Sequence, residues 1–464
     1  MLILALASDH AAARTPSVGW RGDGTGSFSV PPHPGTLATL WTTPLRAAGN
    51  ASPVVIGRRV FVTEEPTTLT CLDADTGKVS WRARNEYLDT LPPDEAAAVK
   101  VRLEEAERTE VELAAARKRI VALRRKLRRH VDAPEIAREM EELEAKSNAW
   151  KRSLDAVAAW RTADPIEIIG YGSSTPVVAE GRVYALFAQG VVSAFDLAGR
   201  RVWSRWLGPR SDDMVGYHRG HAASPVLAAG LLVVPFGALR GLDPATGEVR
   251  WSGETWQDFG TPAVVEVAGA DYLVSPGGKL IRASDGAVVA EGLGKVQYSG
   301  AVVDGSTVYF FGQGSRDQGV RYLAAAAVRL HPGGGAGEVR VERLWDKQLP
   351  TTYDQYVNPL VDGGLIYGVN SRGRLRILSA ETGELVHKTD LPLDKGEVFP
   401  SPARAGSEIW VGGPGGTLLA LSRGPTPEIT RRIELGTTFR ASPFFVGARV
   451  VVRTLDAVVM LQAR

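Results

Sequence analysis

Cysteine is almost absent from this chain of 464 residues: there is one, Cys71. A single thiol excludes an internal disulfide framework and any cysteine-based zinc cluster. Cys71 lies in the apolar run Leu69-Thr70-Cys71-Leu72, where a buried strand cysteine is expected. Charge of one sign is also missing, since 54 Lys and Arg stand against 52 Asp and Glu. No global field draws the chain to nucleic acid or to a membrane surface, so any electrostatic function is local. No uninterrupted apolar segment has membrane-spanning length. Gly333-Gly334-Gly335 and Gly412-Gly413-Pro414-Gly415-Gly416 lack the Gly-Lys-Ser/Thr of a phosphate loop and read as turns. His218 and His221 with Asp212 and Asp213 match no standard metal spacing. Asp23, Thr25 and Ser27 lack the Gly and Glu that would complete a calcium loop. No catalytic triad is supported, and the sequence assigns no catalytic, cofactor or metal residue.

What the chain does have is 44% apolar residues, enough for a packed core. At the N-terminus Leu2-Ile3-Leu4-Ala5-Leu6-Ala7 and Ala11-Ala12-Ala13 have the apolar run and small-residue site of a secretion signal, without its basic lead. Residues 1–19 are therefore either a truncated signal segment of a periplasmic or otherwise exported protein, or an untargeted tail that leaves the protein cytoplasmic.

From residue 51 onward one unit recurs. It opens with a small or polar residue and Ser/Thr/Asn-Pro, continues through three apolar runs separated by turns, and ends in Asp-x-x-x-Gly and then Trp. The first copy runs Ala51-Ser52-Pro53-Val54-Val55 to Leu72-Asp73-Ala74-Asp75-Thr76-Gly77-Lys78-Val79-Ser80-Trp81. Ser174-Thr175-Pro176 leads to Trp203, and Ala223-Ser224-Pro225 leads to Trp251. Further starts lie at Gly260-Thr261-Pro262, Tyr298-Ser299-Gly300, Val357-Asn358-Pro359, Pro400-Ser401-Pro402 and Ala441-Ser442-Pro443, which makes eight. Short runs rich in Val, Leu, Ile and Phe between Gly, Asp and Pro read as strands, and a repeat of roughly 40 to 60 residues suits four-stranded blades. The predicted fold is all-β: an eight-bladed propeller. The last unit lacks its outer strand, and residues 37–45 precede the first unit, so the N-terminal strand is predicted to close the ring and remove its exposed edges. Asp in each turn can bond its own backbone two residues on, Gly takes the positive φ, and Trp packs the outer strand against the next blade.

Between Trp81 and Ser174 the composition switches to Ala, Glu, Lys, Arg and Leu. Pro92-Pro93 opens a helix with Leu103, Ala106, Leu113, Ile120 and Leu127 mainly at seven-residue steps up to His130. Asp132 can cap a second helix with the seam Ile136, Met140, Leu143, Ser147, Trp150, Leu154 and Val157. An inserted antiparallel coiled-coil hairpin is predicted, reaching roughly 57 Å at about 1.5 Å per residue. The organisation is thus residues 1–19 as the possible truncated signal, 20–91 as lead-in, closing strand and first blade, 92–163 as the hairpin, and 164–464 as the remaining blades. Arg117, Lys118, Arg119, Arg124, Arg125, Lys126, Arg128 and Arg129 make the first helix basic toward its end. They form a candidate surface for phosphate, nucleic acid or an acidic partner. Equally, cations suit a helix C-terminus, and Glu135, Glu139, Glu141, Glu142 and Glu144 stand opposite them.

Leu-Asp-Ala-Asp-Thr-Gly-Lys-Val-Ser-Trp at residues 72–81 resembles the pyrroloquinoline-quinone (PQQ) repeat, and Trp20-Arg21-Gly22-Asp23-Gly24-Thr25-Gly26 resembles the lead-in of bacterial PQQ-like propellers. That family holds quinoprotein dehydrogenases beside catalytically inert scaffolds of the BamB type. The resemblance implies calcium-binding carboxylates and a vicinal cysteine pair for the dehydrogenases, and one cysteine cannot form that pair. The character is closest to the BamB-like scaffolds, without their lipid-anchor cysteine.

Loops entering the innermost strands rim a propeller's channel. The candidates there are Tyr171, Tyr217, His218, Arg219, His221, Gln257, Asp258, Gln297, Tyr298, Tyr353, Asp354, Tyr356 and Arg440. The function expected is a non-catalytic scaffold, enzyme status open, holding protein or cell-envelope partners through this rim and the helical arm. No cofactor and no membrane span are expected. The alternatives are a PQQ-dependent dehydrogenase using PQQ with Ca2+, and binding of nucleic acid or another acidic partner by the basic arm.

Overall fold

The computed structural model describes residues 17–32, 35–128, 133–161, 170, 172–209, 221–256, 258–317, 319–335 and 337–463. They form an eight-bladed β-propeller with an inserted helical hairpin. Blade 1 shows the plan. Val54–Ile56 is its short inner strand, followed outward by Arg59–Glu64, Thr68–Asp73 and Val79–Arg84 in an antiparallel meander. The two middle strands are buried almost throughout, because both faces pack on neighbouring blades, while the outer strand is only partly buried. Blade 3 departs from four strands. Its sheet has three, because Leu231–Leu242 runs through the positive φ of Gly237 and pairs first with the inner and then with the outer strand.

The ring closes as the sequence predicts. Leu37–Pro44 pairs antiparallel with Ala457–Ala463 and supplies the outer strand of blade 8. A second N-terminal strand, Ser27–Phe28, lies parallel to the inner strand of blade 7, Ala403–Ala405, which the repeat gave no hint of.

The turn chemistry is visible in blade 1. Asp73 Oδ1 accepts from the backbone N–H of Asp75 (3.1 Å) and Thr76 (2.9 Å), and Gly77 has a φ of 69°. Each tryptophan reaches across to the turn of the next blade. Trp81 donates to Leu197 O (3.2 Å), Trp203 to Pro244 O (3.0 Å) and Trp251 to Ala283 O (3.0 Å). Two more do the same, Trp41 of the closing strand to Ala74 O and Trp345 of blade 5 to Ala380 O. Sequence matching found only the first three, because the other two do not follow an Asp-x-x-x-Gly turn. Their rings lie against turn glycines, where an added Cβ would meet the indole at 2.5–2.6 Å.

The insert forms α1 (Pro93–Leu127) and α2 (Pro134–Asp155), packed on each other. Ala106, Leu113, Ala116, Ile120 and Leu123 of α1 are buried along the seam, as is Ser147 of α2. Arg119 forms a double hydrogen bond with Glu139 (2.7 and 2.9 Å), and Arg124 reaches Glu144 (2.8 Å). The acids of α2 thus answer part of the basic run. At the base, Tyr87 stacks on Trp160 (centroids 5.8 Å apart) and meets Trp206 of blade 2 edge-on (4.7 Å).

Candidate functional site

The Ser/Thr/Asn-Pro starts are built into one hydrogen-bonded belt around the channel. The backbone N–H of Ser52 donates to Thr175 Oγ1, Thr175 N–H to Ser224 Oγ, and Ser224 N–H to Thr261 Oγ1, at 2.9–3.1 Å. On the other side Gly300 N–H donates to Asn358 Oδ1 (2.9 Å), and Asn358 N–H to Ser401 Oγ, Ser401 N–H to Ser442 Oγ and Ser442 N–H to Ser52 Oγ, each 3.0 Å. Seven of the eight blades thereby present one hydroxyl or amide to a neighbour's backbone; blade 5, with Gly300 at this position, presents none. The junction between Thr261 and Gly300 differs, for there the chains approach so closely that a Cβ on Gly300 would lie 2.6 Å from Thr261 O.

Two residues before each belt position stands a rim residue, and these eight side chains are unlike one another in an ordered way. In blades 1 to 3 they are Asn50, Ser173 and Ala222; in blades 4 to 7 Phe259, Tyr298, Tyr356 and Phe399; in blade 8 Arg440. All eight line one cavity of about 350 Å³. Three of the eight are small, four are aromatic, and Arg440 stands between the two groups. The aromatic half is continuous: Phe259 lies 6.0 Å from Tyr298, Tyr298 meets Tyr356 edge-on at 5.3 Å, Tyr356 stacks on Phe399 at 5.2 Å, and Arg440 lies 5.6 Å over Phe399. The Tyr356 hydroxyl donates to Glu397 (3.2 Å), and burial, followed by that carboxylate, pushes it up to about 12.

The floor comes from the lead-in. Val18 bridges to Val178 of blade 2 and Ser27–Phe28 joins blade 7, so the intervening segment crosses the channel. Trp20 lines the rim cavity from that segment, and Gly19, Gly22, Asp23, Gly24 and Thr25 line a smaller cavity beside the inner strands of blades 2 to 5. Arg21 is the anchor. Its Nη2 donates to Pro359 O and Pro402 O, both 2.9 Å, and its guanidinium lies 5.4 Å over Trp20. Burial lowers its pKa to about 9, which leaves it charged at neutrality. Gly26 must be glycine: its φ is 81° and a Cβ would collide with that guanidinium at 2.3 Å.

Of the rim candidates, the structure brings Tyr298, Tyr356 and Arg440 into the cavity wall. The others described lie elsewhere. His221 is fully buried, its Nε2 2.9 Å from Ala223 O and its ring against Phe236, so it belongs to the core and not to the rim. Asp258 is half-buried and its carboxyl is raised by burial. Gln297 is exposed outside the wall, Tyr353 packs under Arg372, and Asp354 pairs with Arg321 (3.3 Å). Tyr171, Tyr217, His218, Arg219, Gln257 and Arg129 lie outside the described residues. Sequence reasoning missed Phe259, Phe399 and Trp20. The first two were legible, since they occupy the same offset from the repeat start as Tyr298 and Tyr356.

This repeat carries through to known proteins. The family model described as outer membrane protein assembly factor BamB matches residues 34–163 and 143–389. The chain belongs to this PQQ-repeat family. Among solved structures the PQQ-repeat propeller is similar to BamB from Moraxella catarrhalis, at 12% identity over 92% of this chain and 98% of that one, with a TM-score of 0.51. The computationally designed Ika8 protein matches at 10% identity over 92% and 99%, TM-score 0.50, and a europium-containing methanol dehydrogenase at 11% over 96% and 98%, TM-score 0.46. No curated protein matches it. Among the described residues no helix is long and apolar enough to cross a membrane.

Membership of a PQQ-repeat family raises the quinone itself. A tricarboxylate quinone with a calcium ion needs several cationic donors and converging carboxylates. The described wall carries one guanidinium, Arg440, and one carboxylate, Glu397. Among the described residues no three His, Cys, Asp or Glu side chains converge at metal-holding distance. Cys71 is buried in blade 1, outside the wall. These residues do not fit the pair.

Proposed function

We propose that this protein is a non-catalytic binding scaffold of the cell envelope, holding an extended polypeptide segment across the rim cavity. The observation that carries the reading is the half-ring of Phe259, Tyr298, Tyr356 and Phe399 capped by Arg440. Rigid aromatic side chains and arginine are the residue types that carry most binding energy at protein interfaces. Held by a hydrogen-bonded belt, they lose little freedom on binding, which lowers the cost of association. The small side chains opposite leave room for a chain to pass. The name of the matching family, an outer-membrane assembly factor, supports an envelope setting and a protein partner.

The test has two arms. A photo-crosslinking residue placed at Phe399 in the native host is expected to trap a polypeptide, and Tyr356→Ala with Arg440→Glu is expected to abolish the adduct. Calorimetric titration with PQQ and calcium together is expected to give no heat of binding. Stoichiometric binding of that pair would overturn the scaffold reading in favour of a quinoprotein dehydrogenase.

A further inference from the structure

The outer face of α1, opposite the seam with α2, carries exposed apolar side chains. In the heptad set by the buried seam, Ala106, Leu113 and Ile120 occupy position a, and Ala116 and Leu123 occupy d. The solvent face is then b, c and f. Three valines stand on it, Val101 at c, Val111 at f and Val121 at b, with exposures of 54%, 72% and 49%. A coiled-coil outer face is ordinarily charged, so three large apolar side chains there call for a partner.

The charges of the same face say which partner. Toward the N-terminus it carries Asp94, Glu104 and Glu107; toward the C-terminus Lys118, Arg125 and Arg128, all exposed. We infer that a second copy of this chain packs its α1 antiparallel against this face, with a two-fold axis passing by Val111. That one register sets Val111 against its own counterpart, Val101 against Val121, Glu104 against Lys118 and Asp94 against Arg128. It maps f onto f and b onto c, so the mated positions share one face. It also sets the remaining outer-face charges, Lys100, Glu107, Arg108 and Arg125, against alanines: Ala122, Ala115, Ala114 and Ala97. No like charges stand directly opposite each other. A self-complementary patch of this kind is what an isologous two-fold interface requires. The axis falls near the middle of α1, so the two helices overlap along nearly their whole length, about 50 Å. Arg119 and Arg124, already held by Glu139 and Glu144, are not used by the interface.

The inference is independent of the rim reading, and its test leaves the rim intact. Sedimentation velocity of the full-length protein is expected to show a monomer–dimer equilibrium that weakens with salt. Val111→Glu, at an exposed helical position, is expected to weaken it by roughly tenfold or more, since it brings two like charges face to face. Glu104→Lys and Lys118→Glu are each expected to weaken it, and the two together to restore it, because the exchanged pair re-forms in both symmetry-related places. Val111→Cys is expected to give a disulfide-linked dimer on oxidation, while the buried Cys71, whose thiol burial pushes up to about 12, stays unreacted. A monomer at every concentration would overturn the proposal, including one whose basic half of α1 binds single-stranded nucleic acid instead. So would a dimer indifferent to Val111→Glu and to both charge reversals.

Discussion

Gly247 and Gly57 occupy turns with similar positive φ, 74° and 54°, yet they are under different constraints. Around Gly57 a Cβ would meet open space; at Gly247 it would lie 2.6 Å from the ring of Trp203. Gly57→Ala is therefore expected to cost only the left-handed backbone penalty, about 1 kcal/mol. Gly247→Ala adds an overpacked contact with an indole fixed by its bond to Pro244 O, about 2 kcal/mol more. Thermal melts of the two variants side by side check this, the Gly247 variant melting clearly lower. The same comparison explains why Asp-x-x-x-Gly and Trp recur together. The glycine's bare Cα is the socket for the preceding blade's tryptophan, so each conserves the space of the other.

At the scale of the element, the helical arm is a packed hairpin with a polar defect in its seam. Ser147 is buried in the seam, and its hydroxyl has no hydrogen-bond partner among the described residues. Burying an unpaired hydroxyl costs free energy that a methyl group does not. Ser147→Ala is expected to stabilise the hairpin by about 1 kcal/mol, read as slower amide hydrogen exchange along α2 with no change in the blades. The arm's base is a different contact, aromatic and shared with the propeller through Tyr87, Trp160 and Trp206. It ties the direction of the arm to blade 2.

For the whole molecule the decisive place is the junction of blades 8 and 1, where the ring closes. Glu64, almost fully buried, accepts from the backbone N–H of Arg46, just after the closing strand, from Thr70 and from Arg82 Nε (3.0 Å). Burial pushes its carboxyl up, but the hydrogen bonds from Thr70, Arg82 and Arg46 outweigh it and hold it below the usual carboxylate range. Arg453 of blade 8, fully buried, has its guanidinium lowered to about 10 by burial, a shift opposed by Glu64 and Glu65. Because Glu64 titrates lower folded than unfolded, its stabilisation is full above the unfolded value of about 4.3 and is lost as pH falls through the folded one. The melting temperature of the wild type is expected to drop across that acid window. Glu64→Gln is expected to melt lower than wild type at pH 7 and to lose less on acidification.

The sequence by itself determined the blade count, the closing strand and the hairpin. Each is written in a local period: Ser/Thr/Asn-Pro to Asp-x-x-x-Gly-Trp for the blades, seven-residue steps for the arm. It also marked where the rim would be, because the position of a loop in a repeat is local information. Which offset from the repeat start faces the cavity was decided by the tertiary structure alone. His221 and Tyr356 differ by one position in the repeat, three and two residues before the belt, yet one turns into the core against Phe236 and the other into the wall against Phe399. Trp20 and Arg21 show the same limit from the other side. Nothing in their neighbours says that they cross the channel, since their partners Pro359 and Pro402 lie more than three hundred residues away. Contacts between blades depend on closing the ring, and only the closed ring sets them.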